Sequence, residues 1–229
     1  MSEKQLRWGV ISTANIGKKR VNPAIQASSN GELVAVASRD ESRARAFAED
    51  SGIPRFFGSY DELLADPEID AVFNPLPNSL HKEWTIRAAE SGKHVLCEKP
   101  MAVSPEECEE MEAAAASNGV KLMEAFMYRF HPRGEEIREI LESGVIGELN
   151  QIRSTFTFKL DRPEDIRWDR ELGGGSLMDV GCYCVNVSRM FFGKEPVEVR
   201  AMANWGDSGV DEQLAGSMLF ADGLLAHFD

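Results

Sequence analysis

The stretch LRWGVISTANIG, Leu6 to Gly17, joins an apolar run to a turn of small residues. A dinucleotide-binding protein places G-x-G-x-x-G at such a junction of strand and helix. Here Ser12 and Ala14 occupy the first two glycine positions, and only Gly17 is retained. Small side chains still let a pyrophosphate approach the backbone, although an ordinary βα turn fits the motif equally well. The candidate cofactor-binding residues of this turn are Ser12, Thr13, Ala14, Asn15 and Ile16.

Around this stretch, short apolar runs alternate with longer amphipathic ones up to about residue 125. Five runs have continuous apolar residues, as in strands buried on both faces: LRWGVIS, ELVAVAS, DAVFNPL, KHVLCEK and VKLMEAF. The helical segments carry start and stop signals, such as Ser59 before YDELLAD, and Ser104 with Glu107 before a helix that Gly119 ends. This alternation predicts an α/β fold, with a Rossmann-type doubly wound parallel sheet in residues 1–125.

The pattern changes after Gly144. QIRSTFTFKL alternates like a half-exposed strand, GGGSLMDVGCYCVNVSRMFFG is typical of one helix, and three strand-like segments follow: VEVRAMAN, LAGSMLFA and LLAHF. Residues 126–229 are therefore predicted to form a second domain of α+β type with a largely antiparallel sheet. Because the pattern stops at Asp229 within a strand, which would leave a long unpaired edge, we expect this domain to be C-terminally truncated.

The overall charge limits the classes of partner. The chain has 25 Lys and Arg against 38 Asp and Glu, which gives a formal net charge of −13. Such a field repels phosphate backbones and anionic lipid headgroups, so neither a nucleic acid nor a membrane is an expected partner. A local basic pocket could still bind one small anion, because a ligand responds mainly to nearby groups.

The cysteines and the amino terminus indicate the compartment. Cys97, Cys108, Cys182 and Cys184 form no C-x2-C pair and have no matching His cluster, so no metal site is predicted. The first residues are polar, and the apolar run at 8–11 is too short for a signal or a membrane span. A reducing, cytoplasmic setting is the expectation.

The end of the second predicted strand suggests which dinucleotide binds. An NAD enzyme usually has an acidic residue there for the ribose 2′-hydroxyl. Ser38 and Arg39 stand there instead, and a hydroxyl with a guanidinium suits a 2′-phosphate, which favours NADP over NAD. The alternative is that Arg39 merely pairs with Asp40 or Glu41.

The loop NPLPNSLH, residues 74–81, follows the fourth strand. Its prolines direct the backbone away from the sheet at the carboxyl edge, where ligands lie in open α/β sheets. His81 could bond a ribose hydroxyl or cap the next helix, and these alternatives stay open. The cofactor-binding candidates of the loop are Pro75, Leu76, Asn78 and His81.

Seven motifs occur in an order that resembles the Gfo/Idh/MocA oxidoreductase family: GVISTANIG, AVASRD, GSYDELLAD, PLPNSLH, HVLCEKPMA, EAFMYRFHP and GGGSLMDVGCYCVN. Within the family, the chain is most similar to the branch of NADP-dependent D-xylose dehydrogenase and trans-1,2-dihydrodiol dehydrogenase. The resemblance covers essentially the whole chain. Family members continue well past its last residue, which agrees with the truncation expected above.

The resemblance implies that Lys99, in HVLCEKP, is a catalytic lysine beside the nicotinamide. Chemistry supports the same role, because oxidation of an alcohol needs a group that receives the hydroxyl proton and a cation that stabilises the developing oxyanion. Glu98 could orient Lys99 or bond the cofactor ribose, and Pro100 is often preceded by a cis peptide in the family. The alternative is a surface Glu–Lys pair at a strand end.

Asp179 and Tyr183 form the second predicted constellation. Four residues apart on a helix, they would lie on one face. Many family members have His at the position of Tyr183, and the resemblance implies that the Tyr183 phenol works with Lys99 as proton relay or hydrogen-bond donor. Residues 173–175, all glycine, would allow close approach of substrate or nicotinamide. Alternatively, Tyr183 is a buried aromatic residue bonded to Asp179.

The expected reaction is hydride transfer from C1 of a D-xylose-like aldose to NADP, which gives a lactone. A dihydrodiol is the second substrate choice, and a non-catalytic NADP-binding regulator is the rival function. The family resemblance also implies a homo-oligomer formed through the outer sheet face. Weaker substrate-binding candidates are Tyr128, Arg129, Arg167 and Trp168.

Overall fold

A computed structural model describes residues 5–229, and the chain divides between Ala125 and Phe126 into two compact units. One sheet has six strands and the other four. No helix within residues 5–229 has the length and apolar character needed to cross a bilayer. Among the same residues, no three His, Cys, Asp or Glu side chains are grouped so that they could hold a metal ion.

Six parallel strands form the sheet of the first unit: β1 (Leu6–Ile11), β2 (Gly31–Ala37), β3 (Arg55–Phe57), β4 (Ala71–Asn74), β5 (His94–Cys97) and β6 (Leu122–Glu124). Their order is β3-β2-β1-β4-β5-β6. The chain returns to the centre after β3, so the carboxyl ends of β1 and β4 flank the switch point at which open α/β sheets bind ligands. The predicted doubly wound sheet is confirmed, and the short edge strand β3 lies outside the five predicted runs.

Five helices connect these strands: α1 (Asn22–Ala27), α2 (Glu41–Ser51), α3 (Tyr60–Ala65), α4 (His81–Glu90) and α5 (Pro105–Ser117). A π-helical turn, Gly17–Val21, precedes α1. The predicted caps are present: Ser59 accepts a hydrogen bond from the backbone of Glu62 at 3.2 Å, and Ser104 accepts one from Glu107 at 3.3 Å. Gly119 ends α5 with a φ of 65°.

The core explains why the strand sequences are continuously apolar. Successive side chains in a strand point to opposite faces. Val10 belongs to one buried cluster with Val36 and Phe73, and Ile11 belongs to a second with Val72. Helices cover both faces, so the carboxyl edge is where this sheet can present functional groups.

The second unit has a four-stranded sheet made of β7 (Gln151–Ser154), β8 (Pro196–Trp205), β9 (Asp211–Phe220) and β10 (Leu225–Phe228) in the order β7-β10-β9-β8. β8 with β9 and β9 with β10 are antiparallel, whereas β10 with β7 is parallel. The sheet is therefore mixed, and α+β architecture is confirmed. A parallel pair needs a long connection, and β7 is joined to β10 through the rest of the unit.

Two helices belong to the second unit: α6 (Pro132–Glu142), which no sequence signal singled out, and α7 (Cys182–Phe192). The segment predicted as one helix begins with a π-helical turn, Leu177–Gly181, and continues as α7. Cys184 and Phe192 of α7 pack with Met218 and Phe220 in the buried cluster of this unit.

Candidate functional site

The turn after β1 has the conformation expected of a glycine-rich nucleotide turn. Ser12 has a φ of 99°, in the region that favours glycine. Its backbone N–H donates to the carbonyl of Ala37 at 3.0 Å, and its hydroxyl accepts from the N–H of Ala14 at 3.3 Å. Thr13 and Ala14 are half-buried, and Asn15 and Ile16 are exposed. A serine held where glycine would be unstrained is a local indication of function.

Two arginines, Arg39 and Arg43, follow the end of β2. Arg39 is exposed, and its positive charge acts on the Tyr60 side chain. Arg43, in the first turn of α2, donates to the Thr13 hydroxyl at 3.4 Å. Burial raises the pKa of Tyr60, and the positive charges of Arg39 and Arg43 oppose that rise. Ser38 is buried, and its hydroxyl accepts from the backbone N–H of Asp40 at 3.3 Å.

Asp40 acts as a helix cap. Its carboxylate accepts hydrogen bonds from the Ser42 hydroxyl at 2.6 Å and from the backbone N–H of Arg43 at 3.2 Å. These two hydrogen bonds lower the Asp40 pKa. Glu41 pairs with Arg45, one helical turn away, at 3.7 Å. Both acidic residues that could have paired with Arg39 therefore have other partners.

Arg43 is a candidate that the sequence interpretation missed. It lies four residues after Arg39, where the first turn of α2 returns it to the β2 end. The spacing of the two arginines was a usable signal, because a strand-end residue and the first helical turn behind it lie at the same sheet edge.

The loop after β4 departs from the predicted roles. His81 is fully buried, with Nδ1 2.8 Å from the Pro100 carbonyl oxygen and Nε2 2.8 Å from the Leu76 carbonyl oxygen. Both ring nitrogens are thus engaged, which contradicts the predicted ribose contact, and the His81 side chain does not cap α4 either. The Leu76 side chain lies in the core, so it is not directed at a ligand. Pro75 is buried, and Asn78 is half-buried at the start of a 3-10 turn.

Lys99 lies two residues after the end of β5, at the carboxyl edge of the sheet, and it is half-buried. The Lys99–Pro100 peptide is cis. Burial raises the pKa of Glu98, and the charge and backbone N–H of Lys99 oppose that rise. The Glu98 carboxylate accepts this N–H at 3.2 Å, so it holds the backbone that carries the lysine.

Glu124 supports the same segment from the end of β6. Its carboxylate accepts the backbone N–H of Met101 at 2.7 Å. This bond gives Glu124 a structural role next to Lys99.

In the second unit, Asp179 and Arg167 form an ion pair. Arg167 Nε donates to the Asp179 carboxylate at 2.6 Å, and the same guanidinium contacts Asp165 at 3.0 Å. The Asp179 side chain is 14% exposed. Arg167, predicted as a weak substrate ligand, thus has two carboxylate partners, which raise its pKa against the effect of burial. The Trp168 indole N–H donates to the Arg162 carbonyl at 3.0 Å.

Tyr183, which lies on α7, is surrounded by aromatic rings from other segments. Its ring centroid is 5.2 Å from Phe126, 6.1 Å from Tyr128 and 5.4 Å from Phe156. The Tyr128 hydroxyl donates to the Asn186 side chain at 2.6 Å, which ties Tyr128 to the same helix. Arg129 is exposed. The structure therefore groups Tyr128 with Tyr183, and Arg167 with Asp179.

A cavity of about 490 Å³ in the second unit joins several of these side chains. Arg167, Trp168 and Asp179 line it, together with Phe156 and Phe158. Phe156 also contacts Tyr183. The lining includes an ion pair and aromatic rings, and such a combination suits a ligand with hydroxyl groups and an apolar face.

Gly174 and Gly175 lie where a side chain would collide with other residues of the same unit. A Cβ at Gly174 would overlap the Arg167 carbonyl oxygen, and one at Gly175 would overlap the Asp211 carboxylate. Asp211 accepts from the Ser176 hydroxyl and from the Leu177 N–H, each at 2.7 Å. The sequence predicted that these glycines let a substrate or nicotinamide approach the backbone. Within the second unit, the groups that approach Gly174 and Gly175 are Arg167 and Asp211.

Comparison with known proteins assigns the chain to a family. Residues 6–126 match "Oxidoreductase family, NAD-binding Rossmann fold", and residues 135–229 match "GFO/IDH/MocA C-terminal domain". The chain belongs to the Gfo/Idh/MocA oxidoreductase family. The resemblance predicted from the seven motifs is thereby confirmed.

Named family members include two dehydrogenases. D-xylose 1-dehydrogenase (NADP(+)) 2 of Haloferax volcanii is 45% identical over 225 residues, which are 98% of this chain and 69% of that protein. Trans-1,2-dihydrobenzene-1,2-diol dehydrogenase of Mus musculus is 38% identical over 226 residues, 97% of this chain and 67% of that protein. The chain thus spans about two thirds of the length of these family members.

Solved structures of the family have the same fold. KijD10, a 3-ketoreductase from Actinomadura kijaniata in complex with NADP and TDP-benzene, gives a TM-score of 0.92 at 34% identity, covering 98% of this chain and 69% of that one. Aldose-aldose oxidoreductase from Caulobacter crescentus, complexed with glycerol, gives 0.91 at 32% identity, covering 98% and 70%.

Proposed function

We propose that the protein is an NADP-dependent oxidoreductase that oxidises C1 of an aldose such as D-xylose to the lactone. The observation that carries the proposal is the Lys99 segment, held by Glu98 and Glu124 at the carboxyl edge of a nucleotide-type sheet. The 45% identity to a D-xylose 1-dehydrogenase supports the choice of substrate. NADP, when bound, accepts the hydride that leaves C1.

The residues at the ends of β1 and β2 fit this cofactor. Arg43 supplies a guanidinium 3.4 Å from the Thr13 hydroxyl, and Arg39 supplies a second at the end of β2, a donor set that suits a phosphate dianion. A ribose 2′-hydroxyl would instead call for a carboxylate, and that of Asp40 is already occupied as a helix cap. The set therefore favours NADP over NAD.

Lys99 is proposed to act on the proton. As hydride leaves C1, the C1 hydroxyl must lose its proton, and an amine at the strand end can accept it. We propose that the Tyr183 phenol donates a hydrogen bond to the same substrate oxygen or relays its proton. Asp179 would then act by holding Arg167 at the wall of the cavity rather than by taking a proton itself.

A dihydrodiol is the second substrate candidate, favoured by one observation. Phe156, Phe158 and Trp168 line the cavity of the second unit, and aromatic walls suit an apolar carbocycle as well as the face of a sugar ring. The 38% identity to a dihydrodiol dehydrogenase agrees with this choice.

We also propose that the protein forms a homo-oligomer that covers β8. This strand lies at the edge of its sheet, and its large apolar side chains are 65 to 80% exposed: Val197, Val199, Met202 and Trp205. An exposed apolar edge strand is a typical site of pairing with another chain.

The experiment that tests the function follows NADP reduction at 340 nm, with the full-length protein and a panel of aldoses and dihydrodiols. Lys99→Met should lower kcat/KM by about 10²-fold to 10⁴-fold, the usual contribution of general acid–base catalysis. NADPH binding, followed by fluorescence, should persist. Lys121→Met, the same change at an exposed lysine, is the matched control. Turnover that survives Lys99→Met removes Lys99 from the mechanism, and wild-type protein inactive on every sugar and diol refutes the proposal.

A further inference from the structure

His81 joins two loops at the carboxyl edge of the sheet. Its ring is fully buried, and its two nitrogens each lie 2.8 Å from a backbone carbonyl oxygen, one in the loop after β4 and one in the segment after β5. The first oxygen belongs to Leu76 and the second to Pro100, which is bonded directly to Lys99. The imidazole therefore spans the gap between a candidate cofactor loop and the residue next to the proposed catalytic amine.

A buried polar network fixes the backbone that carries this ring. Asn74 is fully buried and donates from its amide to the His81 carbonyl at 3.3 Å and to the Thr85 hydroxyl at 3.2 Å. The Asn74 side-chain oxygen accepts the Leu76 N–H at 3.3 Å, and the Asn74 carbonyl accepts the Glu98 N–H at 3.0 Å. One buried residue thus links the backbone of both loops to the helix that begins at His81.

The direction of the His81 contacts follows from their chemistry. A carbonyl oxygen can only accept, so each contact that is a hydrogen bond requires an N–H on the ring. Imidazolium supplies two and neutral imidazole one. Burial lowers the His81 pKa, whereas the Pro100 and Leu76 carbonyls oppose that shift. In either state the ring has at least one N–H for these two oxygens, and an apolar side chain would leave both without it.

The Lys99 segment is then held on both sides of its proline. Glu98 accepts the Lys99 N–H at 3.2 Å, Glu124 accepts the Met101 N–H at 2.7 Å, and His81 meets the Pro100 carbonyl between them. Three side chains therefore fix two peptide groups, the one before Lys99 and the one after Pro100. Such a density of support is typical of a segment whose position matters for chemistry, since a misplacement of about 1 Å can cost about 10²-fold in rate.

We propose that His81 is a positioning residue: its Nδ1–H donates to the Pro100 carbonyl, so that the Lys99 amine stays where hydride transfer requires it. This inference rests on the proposed function. It replaces the ribose contact predicted for His81 by an indirect role in the same reaction.

Two variants of His81 test the contact with the Pro100 carbonyl. The side-chain nitrogen of Asn lies three bonds from Cα, like Nδ1, and that of Gln lies four bonds from Cα, like Nε2. His81→Asn should thus keep the bond to Pro100, and His81→Gln should lose it. His94→Gln, at the amino end of β5, is the matched control.

The two variants are expected to differ in kcat. His81→Gln should lower kcat by about 10²-fold with little change in the NADPH dissociation constant, because Lys99 is misplaced. His81→Asn should keep kcat within about threefold of wild type, far above the value for His81→Gln. If the His81 side chain only filled space, His81→Gln would be the milder variant, because Gln is closer to His in volume than Asn is. The changes in kcat and in the NADPH dissociation constant would then parallel the loss of thermal stability. That outcome overturns the proposal.

Two further measurements do not depend on turnover. Hydrogen exchange of residues 98–101 should be faster than wild type in His81→Gln and unchanged in His81→Asn, and equal protection in both refutes the role of His81. In the wild-type protein, an NMR correlation of the imidazole nitrogens should show a proton on Nδ1, and an unprotonated Nδ1 also refutes it, even if neither variant folds. If the wild-type protein is inactive on every sugar and diol, the proposed function is refuted. Hydrogen exchange and the NMR correlation do not test that function, so the two failures can be distinguished.

Discussion

Replacing Arg39 by Ala tests how the protein would distinguish NADP from NAD. Arg39 follows the end of β2, where the proposed 2′-phosphate would bind, and Arg43 in the first turn of α2 contacts the Thr13 hydroxyl. A hydrogen bond to a charged group contributes about 1.5 to 3 kcal/mol, so loss of one guanidinium should raise the KM for NADP by about 10-fold to 150-fold. NAD has no 2′-phosphate, and its KM should change by less than about twofold.

The assay measures KM for both cofactors at a fixed, saturating substrate concentration, and the NADPH dissociation constant by fluorescence. Arg45→Ala is the matched control, because Arg45 is an exposed arginine on α2 that pairs with Glu41 and lies 4.7 Å over the Phe56 ring. Since Arg39 is exposed, the NADP preference should also weaken with added salt. An equal rise in KM for NADP and NAD after Arg39→Ala would refute recognition of the 2′-phosphate by this arginine.

Three other changes test single features. Ser12→Gly should raise the free energy of unfolding by about 0.5 to 1 kcal/mol in urea titrations, because glycine relieves the positive φ at some cost in entropy; no gain would mean that Ser12 is unstrained. Burial raises the Glu98 pKa above 4.5, so the free energy of unfolding should fall as pH rises from 4.5 through the folded-state pKa and Glu98 loses its proton. In urea titrations from pH 4 to 8, Glu98→Gln should make this fall smaller. An unchanged pH dependence would exclude Glu98 as its source. Val199→Lys should shift the sedimentation coefficient to that of a monomer if β8 is an interface, and an unchanged oligomer would exclude it.

Much of the first unit could be predicted from sequence because its signals are local. The caps at Ser59 and Ser104 involve residues three positions apart, and the buried strands are continuous apolar runs. The parallel pairing of β7 with β10 was not predictable in that way, because the two strands are separated by most of the second unit. The partners of His81 illustrate the same limit: one carbonyl is 5 residues away and the other 19.

The difference between the two sets of candidate residues has a physical origin. In a parallel sheet every strand ends at the same edge, so a residue's position after its strand is enough to place it near the others. Ser12, Arg39 and Lys99 could be assigned to one edge on that basis, and the structure puts each at the carboxyl end of its strand. Arg167 and Asp179 follow no strand of this kind, and their pairing depends on how a loop folds against a π-helical turn. Sequence could therefore propose Asp179 as a functional group, but only the coordinates identify the guanidinium that it holds.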